Sequence, residues 1–184
     1  DWDGFGQRTT GSGSVAFDRV AVQPEWVVPF QASFERPTPI GPLAQIMHAA
    51  IDLGIGRGAF AATLPFVRDR ARPWVDAHVD RAADDPLLVA GLGDVAVRLR
   101  AAEALLDRAG HAVDEAVADP TEFTVAQASL AVAAARALTT TAGLLAASKL
   151  FELTGTSATL AEDNLDRHWR NVRTHSLHDP VRWK

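Results

Sequence analysis

The chain has 184 residues, 47% of them apolar and 22% charged, which suits one domain with a core of its own and excludes disorder. Lys and Arg number 18 against 23 Asp and Glu, for a net charge of −5, so the phosphate attraction behind non-specific nucleic-acid binding is missing. Cysteine is absent, which removes disulfides, thiolate nucleophiles, zinc–thiolate sites and iron–sulfur clusters together.

The first 28 residues are rich in Gly, Ser and Thr. They then alternate through Val15-Ala16-Phe17-Asp18-Arg19-Val20-Ala21-Val22 before Pro24, which reads as one or two short strands. A lone hairpin is marginal in water, so residues 1–28 are expected to be the remnant of a sheet and the chain a piece of a longer protein. Asp1-Trp2-Asp3 lacks the order of a signal peptide, and the apolar run from Val125 to Leu150 is broken by Gln127, Ser129, Arg136 and Lys149. The expectation is a cytoplasmic protein with no membrane partner.

Residues 29–42 hold four prolines and read as an extended linker. From Leu43 to about Arg70 apolar and small residues recur at helical steps, until Pro73 ends or kinks the helix. Asp84 and Asp85 offer an N-cap before Pro86, and Leu88, Leu92, Val95, Leu99, Ala102, Leu106, Ala109 and Val113 follow at steps of four and three. Asp119-Pro120 opens an Ala-rich helix that runs to Gly155; it is apolar almost all round and is expected to be the most buried. A fourth helix starts near Thr159 or Leu160 and carries Leu165, Trp169 and Val172. The fold class is mainly α: an up-and-down bundle of four long helices over residues 43–184, preceded by the β remnant. The scarce polar surface of the third helix points to an oligomer.

Four motifs carry candidate chemistry. Gly54, Gly56 and Gly58 interrupt a helical pattern rather than following a strand, so they read as close helix packing and not as a dinucleotide fingerprint. Gly11-Ser12-Gly13-Ser14 lacks the spacing of a nucleophile elbow and reads as a turn. Arg68, Arg70 and Arg72 either complement the negative end of a helix dipole or grip phosphate. His168, His175 and His178 lack the further ligands a metal would need, and Asp179-Pro180 ends the helix that carries them, which suits hydrogen bonding or proton transfer better.

In order, these pieces resemble the C-terminal half of the acyl-CoA dehydrogenase superfamily. Gly6-Gln7-Arg8 with Val15–Val22 resembles the last strands of that family's middle β-domain, and Phe66-Val67-Arg68-Asp69-Arg70 the end of its first long C-terminal helix. Arg70-Ala71-Arg72-Pro73-Trp74 and the run from Leu165 to Pro180 are most similar to the flavin-dependent monooxygenase branch, of dibenzothiophene monooxygenase and sulfur-acquisition oxidoreductase type. His178-Asp179-Pro180 stands where several true dehydrogenases place a catalytic Glu followed by Gly.

The resemblance implies that His178 faces the flavin ring and assists a C4a-hydroperoxide. It also implies that Arg70 and Arg72 hold flavin phosphate, and that the Gly155–Thr159 loop, with Gly155, Ser157 and Thr159, supplies further donors across a subunit interface. FMN is the expected cofactor, with FAD as the alternative and no metal. A separate flavin reductase, a small organosulfur substrate and a homotetramer or dimer complete the expectation. Two other readings stay open: a flavin dehydrogenase acting on acyl thioesters with Asp179 as base, and an assembly module inactive by itself.

Overall fold

The computed structural model describes residues 1–178, so Asp179 and Pro180 lie outside the described residues. Three long helices, α1 (Ile40–Asp69), α2 (Pro86–Ala118) and α3 (Glu122–Thr154), run up, down and up, and the short α4 (Asp166–His175) closes one side. The bundle is therefore three long helices and one of ten residues, not four long ones. α3 carries more buried residues than any other helix, as its all-round apolar surface predicts. Leu53, Phe66, Val95, Leu99, Leu150, Leu165 and Val172 form the main core, and Val113, Ala116, Ala128 and Val132 a second one between α2 and α3. By length and apolar content α1 and α3 would each suffice to cross a membrane; here they pack against one another in the bundle.

Local chemistry sets the helix limits. The Asp85 carboxylate accepts from the backbone N–H of Leu87 and Leu88, and Pro86 takes the first position of α2. Thr121, not Asp119, caps α3 in a reciprocal box with Thr124. α1 stops at Asp69, before Pro73, because the N–H groups of Arg70 and Ala71 both turn back to the Phe66 carbonyl. Its start at Ile40 takes in Pro42, within the first turn where a missing N–H costs nothing. The expected linker is thus shorter, and part of it, Phe30–Phe34, is a 3₁₀ turn. α4 starts at Asp166 rather than near Thr159, because Thr156–Thr159 is a 3₁₀ turn and Asn164 adopts a left-handed conformation that breaks the path.

No strand occurs among the described residues. Val15, Phe17, Val20 and Val22 are exposed instead, because alternation makes a strand only where a neighbour completes the ladder. The extreme N-terminus is nonetheless anchored. Arg170 Nη1 donates to the Phe5 carbonyl at 3.0 Å, the Gln7 N–H donates to Asn171 Oδ1 at 2.8 Å, and Phe5 stacks on Trp169. Gly6 is required there, since a Cβ would lie 2.0 Å from the Arg170 carbonyl oxygen.

Of Gly54, Gly56 and Gly58 in α1, Gly56 packs as expected: a Cβ on it would stand 2.8 Å from Cα of Gly143 in α3. Gly58 meets the His168 ring, and Gly54 faces open space.

Candidate functional site

Two polar sites lie near opposite ends of the bundle. The first is a cleft of about 670 Å³ beside the C-termini of α1 and α3, lined by Arg70, Arg72, Thr154, Gly155, Thr156, Ser157 and Leu160. Arg70, Arg72, Gly155 and Ser157, separated by more than 80 residues of sequence, are thus brought together. Thr159 does not line the cleft; its hydroxyl turns back to the Thr156 carbonyl.

Gly155 stands at φ 78°, ψ −174°, a region open essentially to glycine alone, and space is clear where a side chain would begin. Its conformation lets α3 end abruptly and turns the next residues toward the cleft. Among the described residues the N–H groups of Thr156 and Ser157 make no backbone hydrogen bond, so they and the hydroxyls of the same two residues are donors at the wall. Arg70 is engaged in a bidentate pair with Asp163, at 2.5 and 3.0 Å, and its guanidinium also lies 4.4 Å from the Phe66 ring centroid. The Arg70 hydrogen bond holds the Asp163 carboxyl below the usual carboxylate range. Arg72 is exposed and makes no ion pair or hydrogen bond among the described residues, which leaves it as the available cation. The Arg72 guanidinium, the two hydroxyls, the two N–H groups and a glycine-lined wall fit the anionic tail of a phosphorylated cofactor.

The second site is a histidine cluster built on a buried carboxylate. Asp52, fully buried on α1, accepts from Nδ1 of His175 at 2.7 Å and from the Thr140 hydroxyl at 2.6 Å, and Nη1 of Arg136 lies 3.7 Å away. Nε2 of His175 meets Nδ1 of His48 at 3.2 Å. The His178 ring lies 4.2 Å from that of His48, tilted by 32°, and its backbone carbonyl accepts from Arg136. Thus α1, α3 and α4 all contribute. His178 is exposed, with one face of the cluster behind it.

His168 does not join this cluster. Its ring faces Gly58, its Nε2 is buried with no hydrogen-bond partner among the described residues, and burial, then the positive charge of Arg167, lowers its pKa. The sequence reading missed Asp52, His48, Arg136 and Thr140, and it had no partner for His175. One signal was present: Asp52 and His48 fall one turn apart on a helix whose other inward positions are uncharged, and a carboxylate there must find a partner.

A family model described as acyl-CoA dehydrogenase, C-terminal domain, matches residues 46–183. The chain belongs to that family. Among its relatives is the dibenzothiophene monooxygenase of Rhodococcus erythropolis, 36% identical over 194 residues that cover all of this chain and 46% of that protein. Methanesulfinate monooxygenase MsuC from Pseudomonas fluorescens superposes with a TM-score of 0.94 at 35% identity, over all of this chain and 49% of that one. TdsC of a Paenibacillus species, solved as a complex with FMN and indole, superposes with a TM-score of 0.92 at 33% identity, over all of this chain and 48% of that one. The chain spans about half the length of these relatives of the acyl-CoA dehydrogenase C-terminal domain family.

Proposed function

We propose that the chain is the C-terminal part of a reduced-flavin-dependent monooxygenase that uses FMN and transfers one oxygen atom of O₂ to a small organosulfur compound. The convergence of Arg70, Arg72, Gly155 and Ser157 on one cleft carries this reading. The monooxygenase names and FMN-bound state of relatives matching the chain from end to end support it. When bound, the flavin supplies the oxygen chemistry, and the protein positions it and keeps water away.

In this reading Arg72 holds the flavin phosphate as a guanidinium fork, and the hydroxyl of Ser157 with the N–H groups beside Gly155 completes the cradle. Arg70 joins them by exchanging its carboxylate partner, Asp163, for phosphate. His178 works at the ring end, where its imidazole hydrogen-bonds the reacting oxygen. These two ends belong to different copies. The His48 cluster and the end of α1 are separated by 21 helical residues, roughly 30 Å, far beyond the reach of a five-carbon ribityl chain. Each flavin therefore draws its phosphate cradle and its histidines from two chains of a dimer or tetramer, and a separate reductase delivers it reduced.

Titration of the full-length protein with FMN tests the cradle. Wild type is expected to bind FMN and Ser157→Ala to bind it more weakly, whereas FMN binding that ignores both Ser157 and Arg72 contradicts the placement. His178→Ala is expected to divert reduced flavin to hydrogen peroxide, and an unchanged product yield removes His178 from the reaction.

A further inference from the structure

One of the two arginines at the phosphate cleft already grips an anion that belongs to the chain itself. The two oxygens of Asp163 accept from the two Nη atoms of Arg70, at 2.5 and 3.0 Å, the same fork that a phosphate would take from a guanidinium. The partners are held differently. Asp163 sits in a turn, where its N–H donates to the Leu160 carbonyl at 3.1 Å. That turn is fastened to α4 by Arg167, whose Nη1 donates to the Asn164 carbonyl at 2.7 Å. Arg70 instead follows the last residue of α1, with its side chain nearly half exposed and resting on the face of Phe66. The guanidinium is thus the member of the pair that can turn toward the cleft, and the carboxylate the one that stays behind.

Parting them is unfavourable. The Asp163 side chain is only 17% exposed, so water poorly replaces the two charge-assisted hydrogen bonds that it gives up. Its charge then faces the incoming phosphate, together with that of Glu162, which also acts on Arg70. From this geometry we infer that Asp163 is a built-in competitor for the flavin phosphate: it holds Arg70 between flavins and limits how tightly each one is bound. The inference deepens the FMN reading and rests on it for the identity of the ligand. It also divides the work of the two arginines. Arg72 attracts the phosphate, while the Arg70–Asp163 pair sets how readily it leaves, because Asp163 takes Arg70 back. Such a pair suits a flavin delivered and withdrawn at each turnover rather than one kept in place.

The test is titration of the full-length protein with FMN and with riboflavin, which lacks the phosphate. Asp163→Asn keeps the shape of the side chain and removes its charge. It is expected to tighten FMN binding on the order of fivefold, the scale of an exposed ion pair, mainly through slower dissociation, and to leave riboflavin binding unchanged. Asp163→Ala is expected to shift FMN in the same direction. In an Arg70→Ala background Asp163→Asn is expected to lose most of its effect. FMN bound no more tightly by either Asp163 variant, or a gain that persists undiminished without Arg70, overturns the inference.

A second arm needs no flavin and no activity. Inorganic phosphate alone is expected to raise the melting temperature of Asp163→Asn more than that of wild type, and equal rises contradict the competition. The two readings fail separately. A wild type that binds riboflavin as tightly as FMN removes the phosphate cradle and the inference with it, whereas a wild type that prefers FMN with Asp163 indifferent overturns the inference alone.

Discussion

Single residues divide the site into what is held and what is available. Arg70 is closed by Asp163, while Arg72, two residues on, is open to the same cleft. Replacing Arg72 with Ala is therefore expected to weaken FMN binding about tenfold or more, the worth of a charge-assisted hydrogen bond of about 1.5–3 kcal/mol; calorimetry showing unchanged affinity contradicts this. His168 gives a prediction in pH. Burial lowers its folded pKa below the ordinary 6.5, so the unfolded chain takes up the proton first as the pH falls. The contribution of His168 to stability is complete above that value and is lost below it. His168→Gln is expected to flatten the fall in melting temperature between about pH 7.5 and about pH 5, and parallel curves for the two proteins are the contrary result. The same scale shows what the sequence could carry. Arg70, Arg72, Gly155 and Ser157 stand out because each lies at a helix end marked by Pro or Gly. Asp52 does not, and His175 stands out only without its partner, because 123 residues separate two side chains that meet only once the helices have packed.

Among the elements, α2 and α3 were legible almost to their ends, since an Asp-Pro start and a terminal Gly are local signals. α4 was not: Thr156–Thr159 has enough helical character to blur its start, and the left-handed Asn164 cannot be read from composition. The strand failed for a different reason. Alternation in Val15–Val22 is a local pattern, whereas a sheet is a property of at least two segments. Element packing also fixes where a methyl group is forbidden. A Cβ on Gly143 would stand 2.8 Å from the Asp52 carbonyl oxygen and 3.1 Å from a Val172 methyl, joining α1, α3 and α4 at one point. Gly143→Ala is expected to cost about 1–3 kcal/mol by overpacking, a fall of several degrees in melting temperature; a melting point equal to wild type shows that the helices give way freely. Loss of the Asp85 cap in Asp85→Ala is expected to cost about 1 kcal/mol, read in the same melts.

For the whole molecule, the proposed reading divides the flavin site between chains. Phe123 and Leu130 on α3, and Trp26, Val27 and Val28, expose apolar side chains that the proposed assembly would cover. FMN affinity of the full-length protein is therefore expected to fall on dilution as assemblies dissociate, followed by sedimentation and titration together; a monomer that binds FMN as tightly as the assembly contradicts a shared site. Oxygen transfer is read most directly by mass spectrometry of the product formed by full-length protein, reduced FMN and ¹⁸O₂ with an organosulfur substrate such as dibenzothiophene or methanesulfinate. One ¹⁸O atom per transfer in the product is the predicted result. An unlabelled substrate, with all oxygen recovered as hydrogen peroxide or with oxidised flavin bleached by acyl thioesters instead, contradicts it.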